Sequence, residues 1–300
     1  MHILRIFLIA ALGSFSFFGC TGQEEKFDHS VLWSIKSPKT GKTSYILGTC
    51  HMIDSSQVIF PVKMIKGLID RSQYIWVEVS KAQSGRYNYL MQANMMADSA
   101  TPKLPGCLTP EYQEKLARII DSSKFILPSI KPTISLLKPQ ALIIFLDQEM
   151  FLKNVPNDGQ PNFFMDTYFE QYAKETEKGI LSFETASQQM QWILQPDLDF
   201  TEAIKLLETR IDLFYTPGLD VWEFYRSQDI AQMSVLFDQQ DWHISRNQNM
   251  ARRLDISMQD YALFVMVGAA HLSGENGILN LMDQKGYIIK PVEIKLELKN

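Results

Sequence analysis

The chain is poor in the residues that would announce several familiar chemistries. It has 3 Cys in 300 residues, too few for a disulfide-built scaffold or a Cys-rich zinc cluster. Its 15 Gly include no phosphate-cradling Gly-rich loop, which argues against nucleotide chemistry. It has no His-Glu-x-x-His helix and no Gly-x-Ser-x-Gly turn, so the commonest zinc-protease and serine-hydrolase signatures are missing. Positive charge is not in excess: the formal net charge is −5, and nothing in it invites nucleic acid. Low-complexity tracts are lacking and charge runs are short. What is present is a 46% apolar fraction with 18 Phe, the composition of a globular core.

Long hydrophobic runs are scarce as well. Ile6 to Phe18 is uncharged and mostly apolar, but shorter than the ~20 residues of a membrane-spanning helix. It follows Arg5 and ends at Phe17-Phe18-Gly19-Cys20, the layout of an export signal. The small residue before Cys20 resembles a bacterial lipoprotein cleavage box, with Phe17 where Leu is usual. The expectation is a signal peptide over 1–19, lipid on Cys20, a tether over 20–30 and a single domain over 31–300. The protein would then be a lipoprotein of the bacterial cell envelope, held to a membrane by an N-terminal lipid anchor. A plain secretory signal, giving a soluble secreted or periplasmic product, is the alternative. Cys50 and Cys107 remain, either as a disulfide permitted by export or as two buried thiols.

Histidine is rare, five in all, yet two share one frame. Tyr45-Ile46-Leu47-Gly48-Thr49-Cys50-His51 and Phe264-Val265-Met266-Val267-Gly268-Ala269-Ala270-His271 each read as an apolar strand, then Gly-x-x-His. Open α/β sheets build their sites at the C-terminal ends of such strands. After His51, Val62 to Arg71 has helical spacing and Tyr74 to Val79 is a strand; after His271, Gly277 to Lys285 is helical and Tyr287-Ile288-Ile289 starts a strand. Both ends thus read as strand, Gly-x-x-His, helix, strand, which predicts neighbouring parallel strands. Val31–Ser37 and Thr43–Leu47 form a hairpin across Pro38 to Lys42. The middle is mainly helical, with Thr109 and Pro110 opening one helix, Pro139–Leu152 a second, Asp166–Glu177 a third ended by Gly179, a short strand over Ile180–Phe183, and amphipathic stretches over Phe200–Glu208, Asp220–Phe237 and Asp241–Leu254. The predicted fold is α/β: a central, mostly parallel sheet built from two related halves, with a largely helical middle insertion.

Four polar residues stand at predicted strand ends: His51, Glu78, Glu184 and His271. A His/His/carboxylate set can hold a divalent metal and leave a position open for water, whose pKa the metal lowers. Glu78 reads as a ligand or general base, or else as a solvated strand end. Glu184 reads as a site carboxylate or, with Thr185 and Gln188, as part of a helix cap. The histidines read as site groups or as hydrogen-bonded core residues. Arg246 reads as a residue that binds a substrate carboxylate or holds a site Glu. His243 and His29 read as surface residues, and Trp33, Trp76, Trp192, Trp222 and Trp242 as core.

Together Leu47-Gly48-Thr49-Cys50-His51, Val77-Glu78, Leu137-Lys138-Pro139, Phe183-Glu184-Thr185 with Gln188, Arg246-Asn247, and Val267-Gly268-Ala269-Ala270-His271-Leu272 with Gly274, Gly277 and Gly286-Tyr287 resemble the TraB/PrgY/GumN family, which includes the Tiki proteases. The resemblance runs from about Val31 to Val292. It implies the erythromycin esterase and ChaN-like α/β architecture with paired halves. It also implies a metal-dependent hydrolase, in Tiki-like members a peptidase using both Gly-x-x-His motifs and a Glu. Carried over, His51, Glu78 and His271 are metal ligands (Mn, Co or Zn), Glu184 joins them in catalysis, and Arg246 and Asn247 bind a peptide or protein substrate. Two other readings stand beside this one: a non-catalytic surface protein binding a peptide or haem-like ligand, and a metal-independent esterase-like enzyme with His51 or His271 as base.

Overall fold

The computed structural model describes residues 26–50, 52–53, 58–97, 104–123, 131–152, 163–194, 198–218, 221–235 and 241–298. Its strands are β1 (Leu32–Lys36), β2 (Thr43–Thr49), β3 (Met52–Ile53), β4 (Val58–Ile59), β5 (Tyr74–Val77), β6 (Phe163–Phe164), β7 (Gly179–Ser182), β8 (Leu263–Gly268), β9 (Ile288–Pro291) and β10 (Glu297–Leu298). Its helices are α1 (Val62–Arg71), α2 (Ser84–Met95), α3 (Pro110–Ser122), α4 (Pro139–Leu152), α5 (Met165–Glu175), α6 (Ala186–Leu194), α7 (Phe200–Phe214), α8 (Val221–Arg226), α9 (Ile230–Val235), α10 (Asp241–Ser257) and α11 (Ile278–Asp283).

Six strands form one sheet in the order β7-β5-β8-β2-β1-β9. The four from β7 to β2 are parallel, and β1 is antiparallel to β2 and β9. The fold is therefore mixed α/β on a mostly parallel sheet. The run Leu263 to Val267 in β8 is fully buried, the pattern of a strand covered on both faces. The expected hairpin forms, with Leu32 opposite Leu47 and Lys36 opposite Thr43. Thr109 caps α3 by accepting from the Tyr112 amide, with Pro110 in the first turn.

The two strand–helix–strand units interleave, contrary to the expected pairing. β2 leads through α1 to β5, yet β8 lies between them; β8 leads through α11 to β9, which lies beyond β2 and β1. β8, buried on both faces, takes a central place in the sheet between β2 and β5. As a result the strands preceding the two Gly-x-x-His motifs are hydrogen-bonded neighbours, with Gly48 opposite Val267 and Thr49 opposite Gly268.

The strand expected over Ile180–Phe183 forms as β7 and takes an edge of the sheet, so the helical middle is tied into the sheet and is not a plain insertion. Gly179 opens β7 instead of ending α5; the left-handed residue there is Glu177, at φ 57°. A Cβ on Gly179 would lie 2.4 Å from the Tyr74 ring, so packing across the sheet selects glycine. A second core gathers Leu116, Ile119, Leu142, Leu146, Leu207 and Ile211 from α3, α4 and α7. Cys107 packs against this second core, whereas Cys50 is buried in the main one. Trp33, Trp76 and Trp222 are buried, while Trp192 and Trp242 are half-buried. From Lys26 onward the expected tether lies against the domain: Lys26 pairs with Asp283, and buried Phe27 meets Trp33 edge-on. Cys20 and the signal segment lie outside the described residues. Among the described residues no helix is long and apolar enough to cross a membrane.

Candidate functional site

Parallel strands bring the residues just beyond their C-terminal ends together along one edge of the sheet. Glu184 comes two residues after β7, Glu78 directly after β5 and His271 three residues after β8, on three adjacent strands. The fourth, β2, leads to His51. That residue lies outside the described ones, and so does the expected approach of its ring to His271.

Glu78 and Glu184 are neighbours because the β5–β7 pairing runs on past the strands. The Phe183 amide donates to the Val77 carbonyl and the Glu184 amide to the Glu78 carbonyl, each at 2.9 Å. Two carboxylates in one buried place repel each other. Arg246 of α10 offsets this. Its Nε and Nη2 donate to the two Glu184 oxygens at 2.8 and 3.1 Å, and Nη2 also donates to Glu78 Oε2 at 2.8 Å. Only the planar guanidinium fork makes such a set from one side chain. Burial pushes the Glu184 carboxyl above its ordinary range, and Arg246 pulls it back in part. Burial also opposes the charge on Arg246, but Glu78 and Glu184 outweigh it and raise its pKa.

The other Glu78 oxygen, Oε1, accepts from the Gly268 amide at 2.6 Å and stands 3.8 Å from His271 Nε2. Gln189 Nε2 donates to Oε2 at 3.3 Å. Behind the buried His271 ring, Nδ1 lies 2.6 Å from Asn247 Oδ1. Asn247 Nδ2 donates to the Asn276 carbonyl, which fixes which end of the amide faces the histidine. An amide oxygen only accepts, so Nδ1 carries a hydrogen, and Nε2 is the ring nitrogen that faces Glu78.

The geometry sorts the remaining expectations. Thr185 and Gln188 form a reciprocal cap on α6, Gln188 N–H to Thr185 Oγ1 at 3.2 Å and Thr185 N–H to Gln188 Oε1 at 2.9 Å. Glu184 takes no part in that cap and faces Arg246. Arg246 and Asn247 are 6% and 0% exposed. Both are engaged inside the chain, Arg246 with Glu78 and Glu184 and Asn247 with His271 and the Asn276 carbonyl.

Three contributors were hidden in the sequence. His243 is buried, not at the surface, and its ring stacks on His271 with centroids 4.5 Å apart and planes at 19°. Burial, reinforced by Arg246 and opposed by Glu78, lowers its pKa to about 4. The available signal was spacing: His243, Arg246 and Asn247 stand at i, i+3 and i+4 of one helix and share a face. Tyr225 of α8, fully buried, donates to the Gly48 carbonyl at 3.0 Å, and Thr49 donates to Asp166 Oδ1 at 3.0 Å. α8 and the start of α5 therefore hold the first motif's turn, and no sequence spacing connects them to it. The two motifs also touch: a Cβ on Gly48 would lie 2.7 Å from Leu272 Cδ1 and 3.0 Å from Ala269 Cα.

His271 Nε2 and Glu78 Oε1 span a distance that two ligands ~2.0–2.2 Å from one ion can close. Two carboxylates and one guanidinium leave one negative charge beside that gap. The pair therefore fits a divalent ion. Among the described residues no three His, Cys, Asp or Glu side chains form a ligand cluster, and His51, the third expected ligand, lies outside them.

No curated protein and no solved structure matches the chain. A family model does match, over residues 31–291, a span that takes in both Gly-x-x-His motifs, both glutamates and the Arg246–Asn247 pair: the chain belongs to the TraB/PrgY/gumN family.

Proposed function

We propose that this chain is an exported metal-dependent hydrolase, a Tiki-like peptidase acting on a peptide or protein substrate. One observation carries the reading: His271 Nε2 faces Glu78 Oε1 at 3.8 Å, while Asn247 and Arg246 hold the two residues from behind. His51, Glu78 and His271 would hold one divalent ion, and Mn, Co or Zn suits such a set. When bound, the ion supplies a coordinated water of lowered pKa. The chain's own residues do the rest. Asn247 fixes the His271 tautomer, as partners behind ligating histidines do. Arg246 and the Gly268 amide orient Glu78, which serves as ligand or as the base that takes the water's proton. Lipid on Cys20 would keep the domain at the envelope membrane.

A second reading, a non-catalytic protein binding a peptide or haem-like ligand, is favoured by a different observation. Each oxygen of Glu78 and Glu184 already accepts a hydrogen bond. One experiment separates the two. The purified protein is analysed for metal and incubated with an unbiased peptide library, with and without chelator, beside His51→Ala and His271→Ala. The hydrolase reading expects bound metal and cleavage that chelator and either substitution abolish. A metal-free protein that cleaves nothing sinks it, and chelator-insensitive capture of library peptides favours the binding protein.

A further inference from the structure

We infer that His243 is a positioning residue for His271, a flat wall that sets the tilt of that ring. An imidazole aimed at a partner has two orientations to fix. The heading of the ring, set by the Cα–Cβ torsion, is held here by the 2.6 Å contact between Nδ1 and Asn247 Oδ1. Rotation about the Cβ–Cγ bond is restrained only in part by one hydrogen bond at a ring edge, which tolerates a range of angles, and a wider swing both breaks that bond and tilts Nε2 away from Glu78. A second flat ring lying parallel removes that freedom. His243 provides one, 4.5 Å away and 19° from parallel, buried at 2% exposure.

The wall and the acceptor come from a single rigid element. His243 and Asn247 are one helical turn apart on α10, so their mutual register is fixed by the helix itself. Arg246, on the same turn, fixes Glu78. Both members of the 3.8 Å pair are thus located from α10, although they sit on the sheet side.

The stacked geometry also decides what His243 is not. In nearly parallel, stacked rings the nitrogen lone pairs lie in separate parallel planes and do not point at a common atom. His243 is therefore not arranged as a co-ligand of an ion bound by His271. An aliphatic side chain of similar volume would fill the space without offering a plane, so shape is the property the position uses.

This inference rests on His271 being a working residue of the proposed site, and its test has a readout that does not depend on hydrolysis. The full protein is labelled with ¹⁵N-histidine, and the His271 tautomer is read from long-range ¹H–¹⁵N correlations in wild type, His243→Phe and His243→Leu. Zn²⁺ alone is then titrated calorimetrically into each. Phe keeps a flat ring: the single Nδ1–H tautomer of His271 should persist and Zn²⁺ affinity should stay within about 3-fold. Leu keeps volume without a plane: the two tautomers should mix and Zn²⁺ affinity should fall by ~10–100-fold, the usual loss when a ligand's supporting partner goes. If the Leu protein does not fold, His243→Met takes its place and is read the same way. A Leu or Met protein with an unchanged His271 tautomer overturns the inference, and so does a Phe protein as perturbed as Leu. A wild type that binds no Zn²⁺ but shows the expected tautomer pattern removes the metal reading and leaves the positioning role standing.

Discussion

At the scale of single residues, Arg246 holds two carboxylates at once. It stands between two carboxylates that the backbone forces together, at 6% exposure. Removing one member of a buried ionic set leaves uncompensated charge and costs about 3–5 kcal/mol. Arg246→Met should therefore lower the urea midpoint by an amount corresponding to that loss. Arg246→Lys should recover only part of it, since an ammonium cannot make the three-bond fork. A Met variant within ~1 kcal/mol of wild type would mean that the network carries no stability. The identity of this residue was legible in the sequence, but its partner was not: spacing offers Arg246 a carboxylate, and only the pairing of β5 with β7 says that there are two.

Elements explain why glycine stands where it does and how far local patterns can be read. Gly48→Ala should destabilise by the ~1–3 kcal/mol typical of overpacking, because the new methyl meets Leu272 and the Ala269 backbone. Adding Leu272→Ala should relieve part of that penalty, which a double-mutant cycle measures as non-additivity; strictly additive losses would mean that the two motifs do not press on each other. Local signals are legible in the sequence. The apolar run of β8, the β1–β2 hairpin and the Thr109-Pro110 helix start depend on neighbours in sequence. Signals that depend on distant partners are not. The amphipathic stretch over 220–237 holds two short helices, α8 and α9, separated at Gln228 with φ 62°. The break is held from elsewhere, by Val31 N–H donating to Gln228 Oε1 and Gln228 Nε2 donating to the Ile294 carbonyl. Strand order escapes for the same reason: α1 and α11 show that crossovers exist, not which strands they skip.

For the whole molecule, the buried titratable groups set a dependence of stability on acidity. His243 has an ordinary pKa near 6.5 when unfolded and about 4 when folded. Between those values the unfolded chain binds a proton that the native chain refuses, so stability falls as pH drops from about 6.5 to 4 and levels off below. Glu184 acts in the opposite sense. Its folded pKa is raised above 4.5, so just above 4.5 the native chain takes the proton first. Subtracting His243→Phe isolates the histidine: wild type should lose stability relative to the variant by up to ~1.4 kcal/mol per pH unit across that window. Urea titrations at pH 7, 6, 5 and 4 would show this, and a constant difference would mean that His243 binds its proton equally well in the native and unfolded chains.

The position of β8 also dictates when the molecule becomes whole. Leu263 donates to Ser44 across 219 positions, and Thr49 to Val267 across 218. At ~5–20 residues per second, roughly 10–40 s separate the synthesis of the two strands. Throughout that interval β2 and β5 lack the strand that separates them, and each leaves a parallel edge open to any other chain. A nascent chain halted before Leu263 has most of its helices and both strands that pair with β8, but lacks β8 itself, the Gly268 amide and His271. Assembly of the network is therefore the closing event of folding, reached only after a contact of very long range has formed.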